Sequence, residues 1–397
     1  MVAIAALSQG TALAMTLSVY SLAKPYVRAE FELTDLQASL ALTLVIIYTT
    51  LLAPFLGSLA DAGNVHRLMA GGAVLMGFGM ASVRSIFEPV PLLIVYVLMI
   101  GTAEGMMGVV PSGALISKWF AKRIALALGT AMLGVTILQS SATLLDHAME
   151  LIGWRDVAGI LGFFAVVVLL PAAWFGVVER PSDVGQLPDG EHSNSGPTEG
   201  RVLGLRTILT TPEFWLVSQG SVLVVALLVM FNMHSGQHVR DLSLATGTAG
   251  IVLTTLAAGS MVGISAGGIL GDRFPLKWIY TLAIGLQALA WLWLAQATGP
   301  EAIVLGALLL SSASGLIVPL RGRAIREIFG EASFGRVLGL MLFCSLPVLL
   351  TVILGSAGLH DRSGSYFPAF RLALTGNALS LLLIWLARFS HRVVEAD

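Results

Sequence analysis

Gly57-Ser58-Leu59-Ala60-Asp61-Ala62-Gly63-Asn64-Val65-His66-Arg67 is a short polar break between two long apolar runs. Its Gly-x-Leu-small-Asp core returns as Gly268-Ile269-Leu270-Gly271-Asp272, followed by Arg273-Phe274-Pro275-Leu276-Lys277, at an offset of 211 residues (268 − 57). The second copy also separates two apolar runs. A repeat at about half the chain length predicts two related halves.

Composition sets the solvent those halves meet. Of 397 residues, 56% are hydrophobic and only 11% charged, with mean hydropathy +0.87. A soluble domain carries about 25% charged residues, so there is too little polar surface here to cover a water-soluble globule. The chain reads as a polytopic membrane protein. The net charge of −1 and the absence of a basic run give no sign of nucleic-acid binding. The single cysteine, Cys344, excludes an internal disulfide frame and sits in an apolar run. The first residues lack the positive region of a cleavable signal, so the first apolar run is expected to stay as a helix.

A spanning helix needs about 20 mostly apolar residues. Twelve such runs occur, at about 3–24, 36–59, 68–87, 91–117, 124–146, 157–178, 213–237, 245–270, 276–297, 302–322, 337–358 and 368–388. In the eighth, Gly259, Gly263 and Gly267 recur every four residues, a spacing that lets helices approach closely in lipid. The long hydrophilic stretch 179–211 divides the chain six to six: a first bundle at 1–178, a central loop, and a second bundle at 212–397. With the first terminus inside, the inner segments hold 15 Lys and Arg and the outer ones 7. Positive charge favours the cytoplasmic side, so both termini, the central loop and both motif copies are expected there.

With these residues in place, the chain resembles the major facilitator superfamily, which implies twelve transmembrane helices in two six-helix bundles related by a pseudo-two-fold axis. Further stretches resemble its monocarboxylate and oxalate/formate-type carriers. They are Ile116 to Gly129, Gly153-Trp154-Arg155, Arg180-Pro181 to Gly190, Phe329 to Gly339, and Asp361-Arg362-Ser363-Gly364-Ser365-Tyr366. A lysine near the outer end of the first helix also matches, as Lys24-Pro25. Two features depart from the pattern. Ala62 and Asn64 stand where basic residues or Gly are usual, and 245–270 contains no ionisable side chain where mammalian monocarboxylate carriers are expected to place an Asp and an Arg. The resemblance implies a monomeric secondary carrier of the cell inner membrane that works by alternating access. Its substrate would sit near the bilayer midplane.

Chemistry nominates the site residues. Glu104 falls mid-span in the fourth run, where a charge costs about 2.5–3.5 kcal/mol and persists only facing a cavity or a partner. It is the candidate proton-coupling group, set against a protonated Glu tying two helices together. Arg321 and Arg323 follow Pro319. Two apart on a helix, they point to nearly opposite sides, and Arg321, the deeper, is the candidate carboxylate partner. Asn232 and His234 in the seventh run suggest a polar cavity wall, with His234 also a proton-linked candidate. His234 and His238 share a face, but no third ligand accompanies them, so no metal is expected. Tyr20, Lys24 and Gln139 complete the substrate candidates, with structural hydrogen bonds the alternative for Tyr20 and Gln139. Gly57, Asp61, Arg67, Gly268, Asp272 and Arg273 form the expected gating motif. Gly263-Ile264-Ser265-Ala266-Gly267 fits a hydrolase elbow only as a string of letters, because it lies inside an apolar helix. There is no phosphate loop or cofactor motif, so a gradient must supply the energy. The expectation is a non-enzymatic carrier moving a small organic anion with protons, needing no cofactor. An exporter of amphipathic or aromatic compounds is the alternative.

Overall fold

A computed structural model describes residues 1–139, 142–190, 202–245 and 247–389, without the side chains of residues 35, 36, 139, 142, 143 and 190. Among the described residues every regular element is helical. In chain order the long helices are α1 (Val2–Glu30), α2 (Asp35–Asp61), α3 (Val65–Ser85), α4 (Pro89–Trp119), α5 (Ile124–Gln139 and Ala142–Ile152) and α6 (Trp154–Gly176). Then come α7 (Pro212–Asp241), α8 (Gly247–Arg273), α9 (Leu276–Leu294), α10 (Pro300–Phe329), α11 (Phe334–Ser363) and α12 (Phe367–Leu386). Each predicted run coincides with one of them. The largest end error is at α10, which continues past 322 to Phe329. The apolar run stops there, but Arg323 and Glu327 pair at i, i+4 (2.6 Å) and carry the helix on.

Ten of these helices are long and apolar enough to cross a membrane. In α9 the apolar length is diluted by Lys277, Gln287 and three tryptophans, and α5 is described in two pieces. Large apolar side chains point outward all along the spans, Phe175 at 83% exposure and Phe78 at 64% among them. Such a surface suits acyl chains and would be a liability in water.

Helix contact follows the small residues. A Cβ on Gly263 would lie 2.0 Å from the backbone oxygen of Ser312, and one on Gly267 2.6 Å from that of Leu316. The four-residue glycine repeat of α8 is therefore the face on which α10 rests, backbone against backbone. Without Cβ atoms the helices pack close enough for dispersion forces to hold them where no hydrophobic effect operates.

Contacts gather the chain into two compact units: Met1–Lys122, Ala131–Val202 and Glu331–Phe343 in one, and Arg123–Thr130, Leu203–Gly330 and Cys344–Asp397 in the other. The first turns of α5 and α11 each group with the half to which they do not belong in sequence. Below, "inner" denotes the helix ends that carry the repeated motif, and "outer" the opposite ends.

Candidate functional site

The repeated motif accounts for that exchange. Asp61, the last residue of α2, accepts hydrogen bonds from the backbone N–H of Gly335 (2.7 Å) and of Arg336 (2.8 Å). In the second unit Asp272 accepts from the N–H of Ala125 and of Leu126, both at 2.9 Å. Each carboxylate thus caps the opening turn of a distant helix, where free N–H groups and the positive end of the helix dipole favour an anion. The glycines make the approach possible. A Cβ on Gly57 would sit 2.1 Å from the Gly335 oxygen, and one on Gly268 3.1 Å from the Cα of Leu126. Arg67 reaches only its own loop, at the side chain of Asn64 (3.5 Å), and Arg67 and Arg273 are both exposed.

The start of the central segment is fastened to the inner face of the first unit. Glu179 accepts from the backbone N–H of His66 (3.0 Å), lies 2.9 Å from its ring, and pairs with Lys118 at 3.3 Å. Asp189 accepts from the N–H groups of Ala121 (2.8 Å) and Lys122 (2.6 Å) in the α4–α5 loop. Sequence reasoning placed Lys118 and Arg180 to Gly190 only by resemblance, and gave Glu179 no role. Burial works to raise the Glu179 carboxyl, but the His66 N–H, the His66 ring and Lys118 outweigh it and hold it below the usual glutamate range. A carboxylate depressed in the folded state stabilises above its unfolded pKa of about 4.3, and that stability is lost as pH falls through the lower folded value. Glu179→Gln is therefore expected to lower the melting temperature at neutral pH by roughly 2 °C, for about 1.5 kcal/mol in charged hydrogen bonds. The gap to wild type should close below about pH 4. A gap that persists in acid would remove the charge from the account.

In the first unit, Glu104 lies in a disturbed part of α4. A π-helical turn, Val95–Ile100, precedes it, and the helix breaks at Gly108 (ψ −154°), just before Pro111. The carbonyl of Met107, which has no helical N–H partner because Pro111 lacks one, accepts from Ser8 of α1 at 3.0 Å. Glu104 lies beside Thr49 and Tyr96 and has no ion-pair partner among the described residues. Tyr96 donates to the carbonyl of Thr16, inside a second π-helical turn, Ala14–Ser18, and packs against Tyr20 with ring centroids 4.4 Å apart. Tyr20 itself donates to the carbonyl of Ala38 at 2.7 Å. Its proton is held within the protein, which leaves only the oxygen lone pairs free to meet a ligand. Lys24, one turn further, is half-buried and engaged rather than free. The side chain of Gln139 lies outside the described residues.

In the second unit the two arginines separate cleanly. Arg323 is bound to Glu327 and donates to the carbonyl of Phe274 at 3.0 Å. Arg321 is partly buried in α10 with no hydrogen bond or ion pair among the described residues. Its neighbour is Tyr280 of α9, a fully buried phenol whose oxygen is 3.2 Å from Ser221 of α7. Nothing in the sequence singled out Tyr280, which sits in an apolar run with no motif. His234 lies 3.1 Å from the Tyr366 hydroxyl, its ring stacked on the phenol at 5.0 Å. Asn232, on the same helix, is exposed.

Twelve long helices, ten of them long and apolar enough to cross a membrane, with an Asp-capped inner junction in each unit, make a polytopic membrane scaffold. The description Major Facilitator Superfamily matches at residues 6–239, and the chain belongs to that family. It is similar to the MFS-type transporter pynF of Aspergillus niger, 24% identical over 297 residues, covering 73% of this chain and 64% of that protein. It is also similar to monocarboxylate transporter 12 of Xenopus laevis, 25% identical over 305 residues, covering 71% of this chain and 65% of that protein. The match thus spans just under two thirds of these relatives' length. Among solved structures, the proton:xylose symporter XylE bound to 6-bromo-6-deoxy-D-glucose has a TM-score of 0.75 at 14% identity, covering 100% of this chain and 98% of that one. The Escherichia coli fucose:proton symporter FucP has a TM-score of 0.71 at 13% identity, covering 98% and 99%. At these identities the likeness is one of fold, and the fold is the twelve-helix one of this superfamily.

Proposed function

We propose that the protein is a proton-coupled secondary carrier for a small organic anion, a mono- or dicarboxylate, working by alternating access in the cell inner membrane with both termini cytoplasmic. The observation that carries the reading is the guanidinium of Arg321, held within a membrane-spanning helix with Tyr280 beside it and no hydrogen bond or ion pair among the described residues. A partly buried cation without a carboxylate beside it is costly inside a membrane, and a carboxylate bound in two parallel hydrogen bonds would satisfy it. Relatives named monocarboxylate transporters support the same substrate class. Glu104 is the proposed proton site. It sits mid-span with no ion-pair partner among the described residues, between a π-helical turn and a helix break, and irregular backbone inside a membrane is found where it lines a cavity. Protonation there would let the loaded carrier reorient more easily than the empty, charged one. Tyr20, Lys24, Gln139, Asn232 and His234 are proposed to line the path, with Tyr280 added beside Arg321.

Arg321→Gln is expected to weaken apparent affinity for a transported carboxylate in proteoliposomes by roughly tenfold to hundredfold, the loss of a charged hydrogen-bonded pair. Binding of uncharged compounds should be unaffected. Unchanged carboxylate affinity in this variant would refute the anion site. Activity retained only on uncharged amphipathic compounds would favour an exporter of such molecules.

A further inference from the structure

The 211-residue offset of the inner motif also relates the outer ends of the two halves. Glu30, closing α1, corresponds to Asp241, closing α7. Gly153, before α6, corresponds to Gly364, before α12, and Arg155 corresponds to Tyr366. Both glycines have positive φ, +87° and +68°, so the turn toward the last helix of each half passes through backbone that favours glycine.

In the first unit this geometry builds a clasp. Arg155 pairs with Glu30 at 2.7 Å and donates to the carbonyl of Val83. The guanidinium lies 4.5 Å from the Trp154 ring centroid and 4.8 Å from that of Phe87. Trp154 adds a hydrogen bond to the other Glu30 oxygen at 3.3 Å. The outer ends of α1, α3 and α6 are thus tied by a cation that keeps its charge at every physiological pH.

The second unit places a different cation against the corresponding carboxylate. His360, near the end of α11, lies 2.8 Å from Asp241, and Gln237 donates to the other Asp241 oxygen at 2.8 Å. Tyr366 stacks on His360 with centroids 4.3 Å apart, while its hydroxyl meets His234. His238, 1% exposed, presents its ring to Tyr366, Phe367 and Phe370. The charged and titratable groups around His360 are Asp241, His234 and His238 from α7, Asp361 from its own helix (3.9 Å), and Tyr366 from the start of α12, with Arg240 of α7 acting on Tyr366 in turn.

We infer that Asp241 and His360 form a proton-dependent counterpart of the Glu30–Arg155 clasp, positioning the outer end of α7 against α11 when His360 is charged and loosening it when His360 is neutral. A neutral imidazole still donates one hydrogen bond to Asp241, but a charge-assisted bond is roughly twice as strong. Because α7 carries Asn232 and His234 in the same outer third, the clasp sets how firmly that wall is held. It also gives the stretch from Asp361 to Tyr366 a physical role, with Gly364 making the turn and Tyr366 covering the imidazole. The inference is independent of proton coupling at Glu104.

The test uses the intact protein purified in a non-ionic detergent, melted at about pH 5.5 and about pH 8, to either side of the imidazole range. Asp241→Asn, His360→Gln and the double variant should show a coupling of about 2–4 °C in melting temperature at the lower pH, and little at the higher. The matching cycle of Glu30→Gln and Arg155→Gln should give the same coupling at both. His360→Arg should keep the low-pH stability at both, and Arg155→His should bring a pH dependence into the first half. Equal coupling of Asp241 and His360 at the two pH values would reduce the pair to a neutral structural hydrogen bond and overturn the inference, as would no coupling at either. If Asp241→Asn does not fold, His360→Arg decides alone, and a melting profile with wild-type pH dependence refutes the clasp. No transport is measured, so neither outcome depends on the proposed substrate or on Glu104.

Discussion

Asp61→Asn is expected to slow transport turnover by about tenfold to hundredfold while leaving substrate affinity nearly unchanged. The carboxylate accepts from two adjacent N–H groups, of Gly335 and Arg336, 274 and 275 positions away. Asparagine keeps one acceptor and turns an NH2 group toward the other donor, so one hydrogen bond becomes a repulsive contact and the charge on the helix terminus is lost. Charged hydrogen bonds contribute about 1.5–3 kcal/mol, which sets the range. The whole loss falls on the state in which the inner ends of α2 and α11 are closed together, so it changes the rate of interconversion and not the contacts to substrate. Exchange rates in proteoliposomes beside ligand-induced shifts in melting temperature separate the two. If affinity falls and turnover does not, Asp61 belongs to the substrate site and the gating role is wrong. Asp272→Asn should behave alike, because its geometry on Ala125 and Leu126 is nearly the same.

Gly263→Ala is expected to abolish recovery of folded protein, although it adds a single methyl group. That carbon would lie 2.0 Å from the Ser312 oxygen and 2.9 Å from the Gly315 Cα. Both are backbone atoms of α10, so no rotamer change relieves the overlap and the helices must separate along their length. The reverse contact is equally close, with a Cβ on Gly315 falling 2.7 Å from the Ser260 oxygen. Overpacking a core by a methylene costs about 1–3 kcal/mol where side chains yield, and here none can. Gly285→Ala is the control. It is a glycine within α9 with open space around its missing Cβ, and alanine there should hold or raise stability. Size-exclusion profiles of the two variants in detergent should differ sharply. A monodisperse Gly263→Ala protein with wild-type melting would mean that α8 and α10 do not pack as described.

Much of the candidate site is legible in the sequence only as a set of nominations. Glu104, Arg321 and Arg323 stood out because ionisable groups are rare and expensive inside a membrane. Which of them is free did not follow from spacing. Pro319 and helical periodicity put the two arginines on opposite sides, but only Glu327 and the Phe274 carbonyl identify Arg323 as the bound one. Tyr20 stood as a substrate candidate with a structural hydrogen bond as the alternative, and it is the Ala38 carbonyl that takes its proton. Tyr280 and Tyr96 were invisible, since a tyrosine in an apolar run carries no signal of where its hydroxyl points. The π-helical turns before Tyr20 and Glu104 likewise have no residue signature.

The sequence by itself determined the apolar solvent, the place of each long helix though not its exact ends, and the tight face of α8. These follow from local composition: apolar length fixes a span, and glycine at four-residue spacing fixes where a backbone can be approached, whatever lies opposite. The tertiary structure alone decided what each polar group meets. The Asp61 carboxylate meets the start of α11, and Glu30 and Asp241, equivalent in sequence, meet an arginine in one half and a histidine in the other. A hydrogen bond depends on ångström distances between residues far apart in the chain, and pattern along the chain does not encode those distances.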